Sequence, residues 1–101
     1  MARDSFKTLT EQMFYILLLL IEPRHGYEIM QECTRITKGR VEIGAGTLYA
    51  LFARFEEEGY IKQVSGEGRK KVYQITKKGR LRLEEECERL KTQLTDASLF
   101  M

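Results

Sequence analysis

The chain has 101 residues, of which 43% are hydrophobic, and its formal net charge is +2. This length supports one domain with a modest core, often completed by a second copy, and the apolar content excludes a disordered chain. The apolar run at residues 13–21 has nine residues, whereas a membrane helix needs about 20. Acidic residues precede the run and no small-residue cleavage site follows it, so it is not typical of a signal peptide. We therefore expect a cytoplasmic protein that does not bind a membrane.

The polar residues do not form a recognisable catalytic or metal-binding pattern. Cys33 and Cys87 lack metal-ligand spacing and are interpreted as small hydrophobic residues in a reducing compartment. His25 is the single histidine, and we expect it to help start a helix. No phosphate-binding glycine loop or activated nucleophile is apparent, so no enzyme activity, metal or cofactor is predicted.

Two helices are predicted in the first part of the chain. Thr8 and Glu11 have the spacing of a capping box for a helix from about Leu9 to Ile21. That helix is apolar nearly all round, which predicts burial against its own domain and against a partner. A second helix is expected to start at His25 and to end at Gly39. The alternation at residues 41–43 then predicts a very short strand.

A third helix is predicted from Gly46 to a glycine stop at Gly59. Its core stripe, at spacings of three and four, comprises Leu48, Leu51, Phe52 and Phe55. The opposite face is rich in small residues, which would let the helix approach a DNA groove closely. On it, the candidate DNA-binding residues are Thr47, Tyr49, Ala50 and Arg54. The alternative is an ordinary surface helix without a partner on that face.

A basic hairpin is predicted directly after this helix, with strands at residues 60–65 and 69–76 around a glycine tip. Residues 62–82 include eight basic residues and one acidic residue, a net charge of +7, so the other 80 residues carry −5. This segregation favours a polyanionic partner, and Arg69, Lys70 and Lys71 suit contacts with DNA phosphates. Lysines that only protect an exposed sheet edge are the alternative.

The last helix is predicted to run from Lys77 to the C-terminus. Leucine and cysteine recur on it at alternating spacings of four and three, which is typical of a coiled-coil seam. A helix of this length exceeds what the small domain can cover, so the seam favours a two-fold dimer. The candidate interface residues are Phe14, Leu17, Leu83, Cys87, Leu90 and Leu94.

These segments together resemble the PadR-like transcriptional regulators, prokaryotic winged-helix repressors. The resemblance spans roughly residues 9–94 and rests on the sequences FYILL at 14–18, HGYEIM at 25–30, GTLY at 46–49, RFEEEGYI at 54–61, KVYQITKKG at 71–79 and ECERL at 86–90. It implies a recognition helix that carries Thr47, Tyr49 and Arg54, and a wing that carries Arg69, Lys70 and Lys71.

The resemblance also implies a homodimer that is held by the first and last helices and binds an inverted-repeat operator. The chain departs from the family at Ala45, where proline is common, and at Phe52 and Phe55, where leucine is usual. Its length suggests the short, single-domain subclass. Some short members bind flat aromatic drugs through tryptophan, which this chain lacks.

The expected fold is mainly α with a small β-hairpin: a winged helix-turn-helix at residues 1–76 and a dimerisation helix at 77–101, in one compact unit. The expected function is a dimeric regulator that binds double-stranded DNA, a repressor open to control by a small-molecule effector. The alternative is a winged-helix protein-interaction module that uses the hairpin on an acidic partner.

Overall fold

The computed structural model describes residues 7–101. Over this range the chain forms four α-helices and a three-stranded antiparallel sheet. The helices are α1 (Glu11–Leu19), α2 (Gly26–Ile36), α3 (Ala45–Glu58) and α4 (Lys77–Ala97), and the strands are β1 (Arg24–His25), β2 (Ile61–Ser65) and β3 (Val72–Ile75). The strand order is β1-β3-β2. This arrangement is the predicted winged helix-turn-helix with a long C-terminal helix.

α1 begins two residues later than predicted. Thr10, and not Thr8, is the N-cap, because the Thr10 side chain accepts the hydrogen bond from the Met13 amide at 3.1 Å. Ile16 and Leu17 of this helix are fully buried in the domain core. Phe14 remains half-buried, so the helix is covered on one side and keeps an apolar flank at the surface.

His25 starts α2, as predicted. Its Nδ1 accepts from the Glu28 amide at 3.3 Å, and the Glu28 carboxylate accepts from the His25 amide at 3.0 Å, which completes a capping box. The helix ends at Ile36, and Gly39 lies just beyond it with φ of +80°. His25 also belongs to β1, which pairs with β3.

The strand predicted at residues 41–43 is not present, and β1 was not predicted. Val41 and Ile43 are both 5% exposed and lie in the loop between α2 and α3. Their alternation with Glu42 thus reflects burial of two loop side chains in the core. β1 has two residues, too few to produce a period-two pattern in the sequence.

α3 has the predicted stripe and the predicted stop. Leu48, Leu51, Phe52 and Phe55 are all buried. Gly59 ends the helix in the left-handed conformation at φ of +80°, and the Tyr60 amide donates to the Phe55 carbonyl at 2.8 Å. α3 leads directly into β2, so the exposed face of this helix and the hairpin belong to one continuous segment.

The hairpin tip is more compact than predicted. Gly68–Lys70 forms one turn of 3₁₀ helix, so β3 begins at Val72 and not at Arg69. A bulge lies between Gln63 and Ser65. Gly66 has φ of +84°, and a Cβ at this position would overlap the Lys70 carbonyl. Glycine at Gly66 therefore permits the tight turn that displays the basic tip.

α4 is joined firmly to the end of α3. Thr76 is its N-cap, and the Thr76 hydroxyl accepts from the Gly79 amide at 3.0 Å and donates to the Gly59 carbonyl at 2.5 Å. Gly79 packs against the Tyr60 carbonyl, where a Cβ would not fit. The helix has 21 residues and is about 32 Å long. No helix within residues 7–101 has the length and hydrophobicity that a bilayer crossing requires.

Candidate nucleic-acid interface

The face of α3 opposite the core stripe is open to solvent. Every candidate on this face is exposed, namely Thr47, Tyr49, Ala50 and Arg54. Gly46 and Ala53 are exposed on the same side, so little bulk keeps the helix from a neighbouring surface. The first turn of α3 carries no acidic residue, whereas Glu56 and Glu57 are exposed near its end. The first half of α3 is thus the half compatible with phosphate groups.

Tyr49 has a structural role that the sequence did not reveal. Its ring meets Phe52 edge-on, with centroids 5.8 Å apart, and 45% of the residue remains exposed. A Cβ on Gly26 would lie 2.5 Å from the Tyr49 hydroxyl oxygen. The absence of a side chain at Gly26 therefore lets the Tyr49 ring rest on the start of α2. This contact orients the exposed part of the ring.

The wing displays its cations at the hairpin tip. Arg69 and Lys70 lie in the 3₁₀ turn, Lys71 follows it, and all three are exposed. Gln63 stabilises the base of the tip, because its amide nitrogen donates to the Gly66 carbonyl at 2.8 Å. The tip is therefore a tight turn with outward cations.

The candidate dimer residues divide into a buried and an exposed group. Leu17 is fully buried and Leu83 is 4% exposed. Both side chains belong to the core of their own chain and keep almost no surface for a partner, and their place in a dimer interface stays a prediction. Phe14 and Cys87 are half-buried, and Leu90 and Leu94 are 43% and 74% exposed. These four residues retain apolar surface that a partner could cover.

The seam on α4 also adjoins a buried carboxylate that was not predicted. Glu86 is 1% exposed, and its carboxylate pairs with Arg89 and, at 3.4 Å, with Arg82. Hydrogen bonding from Arg89 lowers the pKa of Glu86, against the opposing effect of burial, and the Leu9 backbone contributes a further hydrogen bond. Glu86 consequently joins α4 to the segment that precedes α1.

A cavity of about 170 Å³ lies beside Glu86, between α1 and α4. It is lined by Leu9, Thr10, Glu11, Phe14, Tyr15, Glu86 and Leu90. Within residues 7–101, no three histidine, cysteine or acidic side chains are grouped so that they could hold a metal ion.

Known proteins place this arrangement in a family. The sequence model of the transcriptional regulator PadR-like family matches residues 16–85, which is more than half of the chain. The chain belongs to the PadR-like family of transcriptional regulators. The matched residues include α3, the wing and the first part of α4, so the predicted resemblance is confirmed over these elements.

Solved structures of PadR-like and related regulators have the same fold. A transcriptional regulator from Clostridium thermocellum is 36% identical with a TM-score of 0.77, and the alignment covers 88% of this chain and 91% of that one. A PadR-like transcription factor from Bacteroides fragilis is 26% identical with a TM-score of 0.71, and the alignment covers 88% of each chain.

Two curated relatives are also similar in sequence, and both are uncharacterised. The relative from Lysinibacillus sphaericus is 42% identical over 72 residues, an alignment that covers 67% of this PadR-like chain and 66% of that protein. A transposon protein from Streptomyces fradiae is 31% identical over 81 residues, and the alignment covers 80% of this chain but 23% of that protein. The chain therefore spans less than two thirds of either relative.

Proposed function

We propose that this PadR-like protein is a homodimeric transcriptional regulator that binds double-stranded DNA at an inverted-repeat operator. α3 reads the bases in the major groove, and the wing holds the neighbouring phosphates. The observation that carries this proposal is the exposed, small-residue face at the start of α3. A major groove is about 12 Å wide and admits one helix, provided that bulky or acidic side chains do not keep it out.

The side chains on α3 suit different parts of the DNA. Ala50 offers a methyl group that can meet the methyl of thymine, and Arg54 can reach guanine or phosphate. Thr47 and Tyr49 add hydroxyl groups that can hydrogen bond to a base edge or to a phosphate. The positive end of the α3 dipole lies at the end that carries Thr47, Tyr49 and Ala50, which favours insertion by the first turns.

The wing would supply affinity that depends little on base sequence. Arg69, Lys70 and Lys71 are exposed on a short, tight turn. Cations at such a tip neutralise phosphates and release the counterions bound to DNA. Their contribution should therefore decrease steeply as the salt concentration rises.

A second copy would complete the regulator. The exposed apolar residues on α4, Leu90 and Leu94, together with the half-buried Phe14 and Cys87, suit a two-fold interface. A two-fold dimer presents two recognition helices to half-sites about 34 Å apart, which matches an inverted repeat. Such a protein acts in the cytoplasm as a repressor when it occupies a promoter, and a small-molecule effector that weakens DNA binding would relieve repression.

The experiment that tests this function measures binding to labelled duplexes by fluorescence anisotropy. One duplex contains the palindrome found in DNA beside the coding gene, and the other has the same composition in scrambled order. We expect tighter binding to the palindrome and a logarithmic salt slope of about −5 if all six wing cations of a dimer contact phosphates. A protein-interaction module with the same basic wing would show no preference for the palindrome over the scrambled duplex at physiological salt, and that result would overturn the proposal.

A further inference from the structure

The start of α3 is poorly fixed by its own sequence. Its N-cap is Gly44, which has no side chain to accept a hydrogen bond from the helix amides. A Cβ at Gly44 or at Gly46 would have no neighbour within 4 Å. The buried core stripe, beginning with Leu48, holds the body of this helix, so the position of its first turn is the part that depends on contacts made by the preceding loop.

One set of contacts fixes the loop against α2. The buried hydroxyl of Thr37 donates to the Cys33 carbonyl at 2.7 Å and accepts from the Val41 amide at 3.1 Å. Val41 and Ile43 are buried in the core on either side of Glu42. These contacts hold the loop against α2, but they do not link the loop to α1 or α4, the predicted dimer helices.

A second set of contacts reaches from the loop to α1. Arg40 Nη1 donates to Glu11 Oε2 at 2.5 Å, and Arg40 Nη2 donates to the Tyr15 hydroxyl at 3.0 Å. Close by, the Gln12 amide nitrogen donates to the Glu42 carbonyl at 3.1 Å. Glu11 and Tyr15 are four residues apart and so lie on one face of α1, and Arg40 bridges both.

We propose that Arg40 is a positioning residue that holds the recognition helix at a defined angle to α1 and thereby sets the operator geometry. Glu11 and Tyr15 also line the cavity between α1 and α4. The bridge thus lies between the surface that the proposed function assigns to the partner and the helix that it assigns to DNA. The role of Arg40 in operator choice rests on the proposed function, whereas its role in holding the loop between α2 and α3 against α1 does not.

The bridge can be removed without loss of the fold. The side chains of Arg40 and Glu11 are 55% and 66% exposed, and exposed ion pairs contribute little to stability. Because the core residues of the loop remain buried, a variant should keep the fold and lose only the precise orientation of α3. The expected effect is therefore on discrimination between duplexes and not on folding.

The decisive variant is Glu11→Gln, with Glu32→Gln as its matched control. Each removes one negative charge from an arginine–glutamate pair, but the Glu32–Arg35 pair lies within α2 and does not involve the loop before α3. Greater positive charge alone would tighten binding to every duplex. We expect Glu11→Gln to reduce the ratio of palindrome to scrambled affinity by about two- to fivefold, whereas Glu32→Gln should leave that ratio unchanged. Equal ratios in the two variants would overturn the proposal.

Amide hydrogen exchange without DNA tests the loop independently. Exchange at residues 41–47 should accelerate by about two- to fivefold in Glu11→Gln, and to a lesser degree in Tyr15→Phe, which removes only the hydroxyl. Exchange in α4 should not change. If the wild-type protein bound neither duplex, the proposed function would fail while accelerated exchange still supported the bridge. Unchanged exchange at residues 41–47 would overturn the bridge whatever the DNA result.

Discussion

The carboxylate of Glu86 accepts a hydrogen bond from Arg89 Nε at 3.1 Å, although Glu86 is only 1% exposed. Arg82, one turn earlier on α4, pairs with the other carboxylate oxygen at 3.4 Å. The Leu9 backbone hydrogen bonds to the same carboxylate. One buried anion therefore connects two cations of α4 with the segment that leads into α1, at the edge of the cavity between these helices.

Replacing Glu86 should destabilise the protein more than replacing an exposed glutamate on the same helix. In Glu86→Gln the charged hydrogen bonds are lost and Arg82, whose side chain is 11% exposed, loses a compensating charge. We expect a decrease of about 1 to 3 kcal/mol in the free energy of unfolding at pH 7, measured by urea denaturation. The control is Glu88→Gln, since Glu88 and Lys91 are both 74% exposed and should change stability by less than about 0.5 kcal/mol. Equal effects would contradict the role of the buried anion.

The same carboxylate should make stability depend on pH. Hydrogen bonding from Arg89 lowers the pKa of Glu86 in the folded state, so its stabilising contribution is fully present above the ordinary glutamate pKa of about 4.3. That contribution is lost as the pH falls through the lowered folded-state pKa. We expect the difference in unfolding free energy between wild type and Glu86→Gln to narrow below about pH 4.3. A constant difference from pH 7 to pH 3 would contradict this linkage.

The sequence predicted α3 from a stripe that is buried in the structure, the hairpin from its glycine tip and basic strands, and α4 from its spaced leucine and cysteine residues. Glu86 could not be predicted in this way, since it stands among Glu84, Glu85 and Glu88, a run typical of a solvated helix face. Its burial follows only from the position of the segment at Leu9, which no local pattern specifies. The contact of Tyr49 with Gly26 was missed for the same reason, because it joins two helices far apart in sequence.

Removing wing cations should weaken DNA binding without changing its selectivity. Lys70→Ala with Lys71→Ala should reduce affinity for palindrome and scrambled duplexes by the same factor, because phosphate contacts carry little base information. The salt slope should become shallower by about 1 to 2 units per half-site. Lys91→Ala, which removes a cation that faces Glu88 on α4, should leave both affinities nearly unchanged. Unaltered binding of both duplexes by the wing variant would show that Lys70 and Lys71 do not contact DNA phosphates.

Tyr49 should contribute to the choice of operator. Tyr49→Ala should weaken binding to the palindrome by about 1 to 3 kcal/mol more than binding to the scrambled duplex. Tyr49→Phe keeps the ring that packs against Phe52, so comparison of the two variants separates the hydroxyl from the packing. Thermal unfolding checks that each variant is folded. An equal decrease in affinity for both duplexes would identify Tyr49 as a phosphate contact. If neither affinity decreased, this face of α3 would not contact DNA.

Charges on the exposed part of α4 should separate the subunits. Leu90 and Leu94 are 43% and 74% exposed and lie one turn apart, so Leu90→Glu with Leu94→Glu would bury unpaired carboxylates in a dimer. The variant should sediment as a monomer near 11.8 kDa at micromolar concentration, while the wild type sediments at twice that mass. The affinity for the palindrome should also decrease sharply, because one rigid body no longer holds two recognition helices at half-sites about 34 Å apart.

Leu81→Glu is the matched control: Leu81 is 55% exposed on the same helix, but it points to the opposite side from Leu90 and should leave the dimer intact. A wild-type monomer that still binds the palindrome tightly would rule out this architecture.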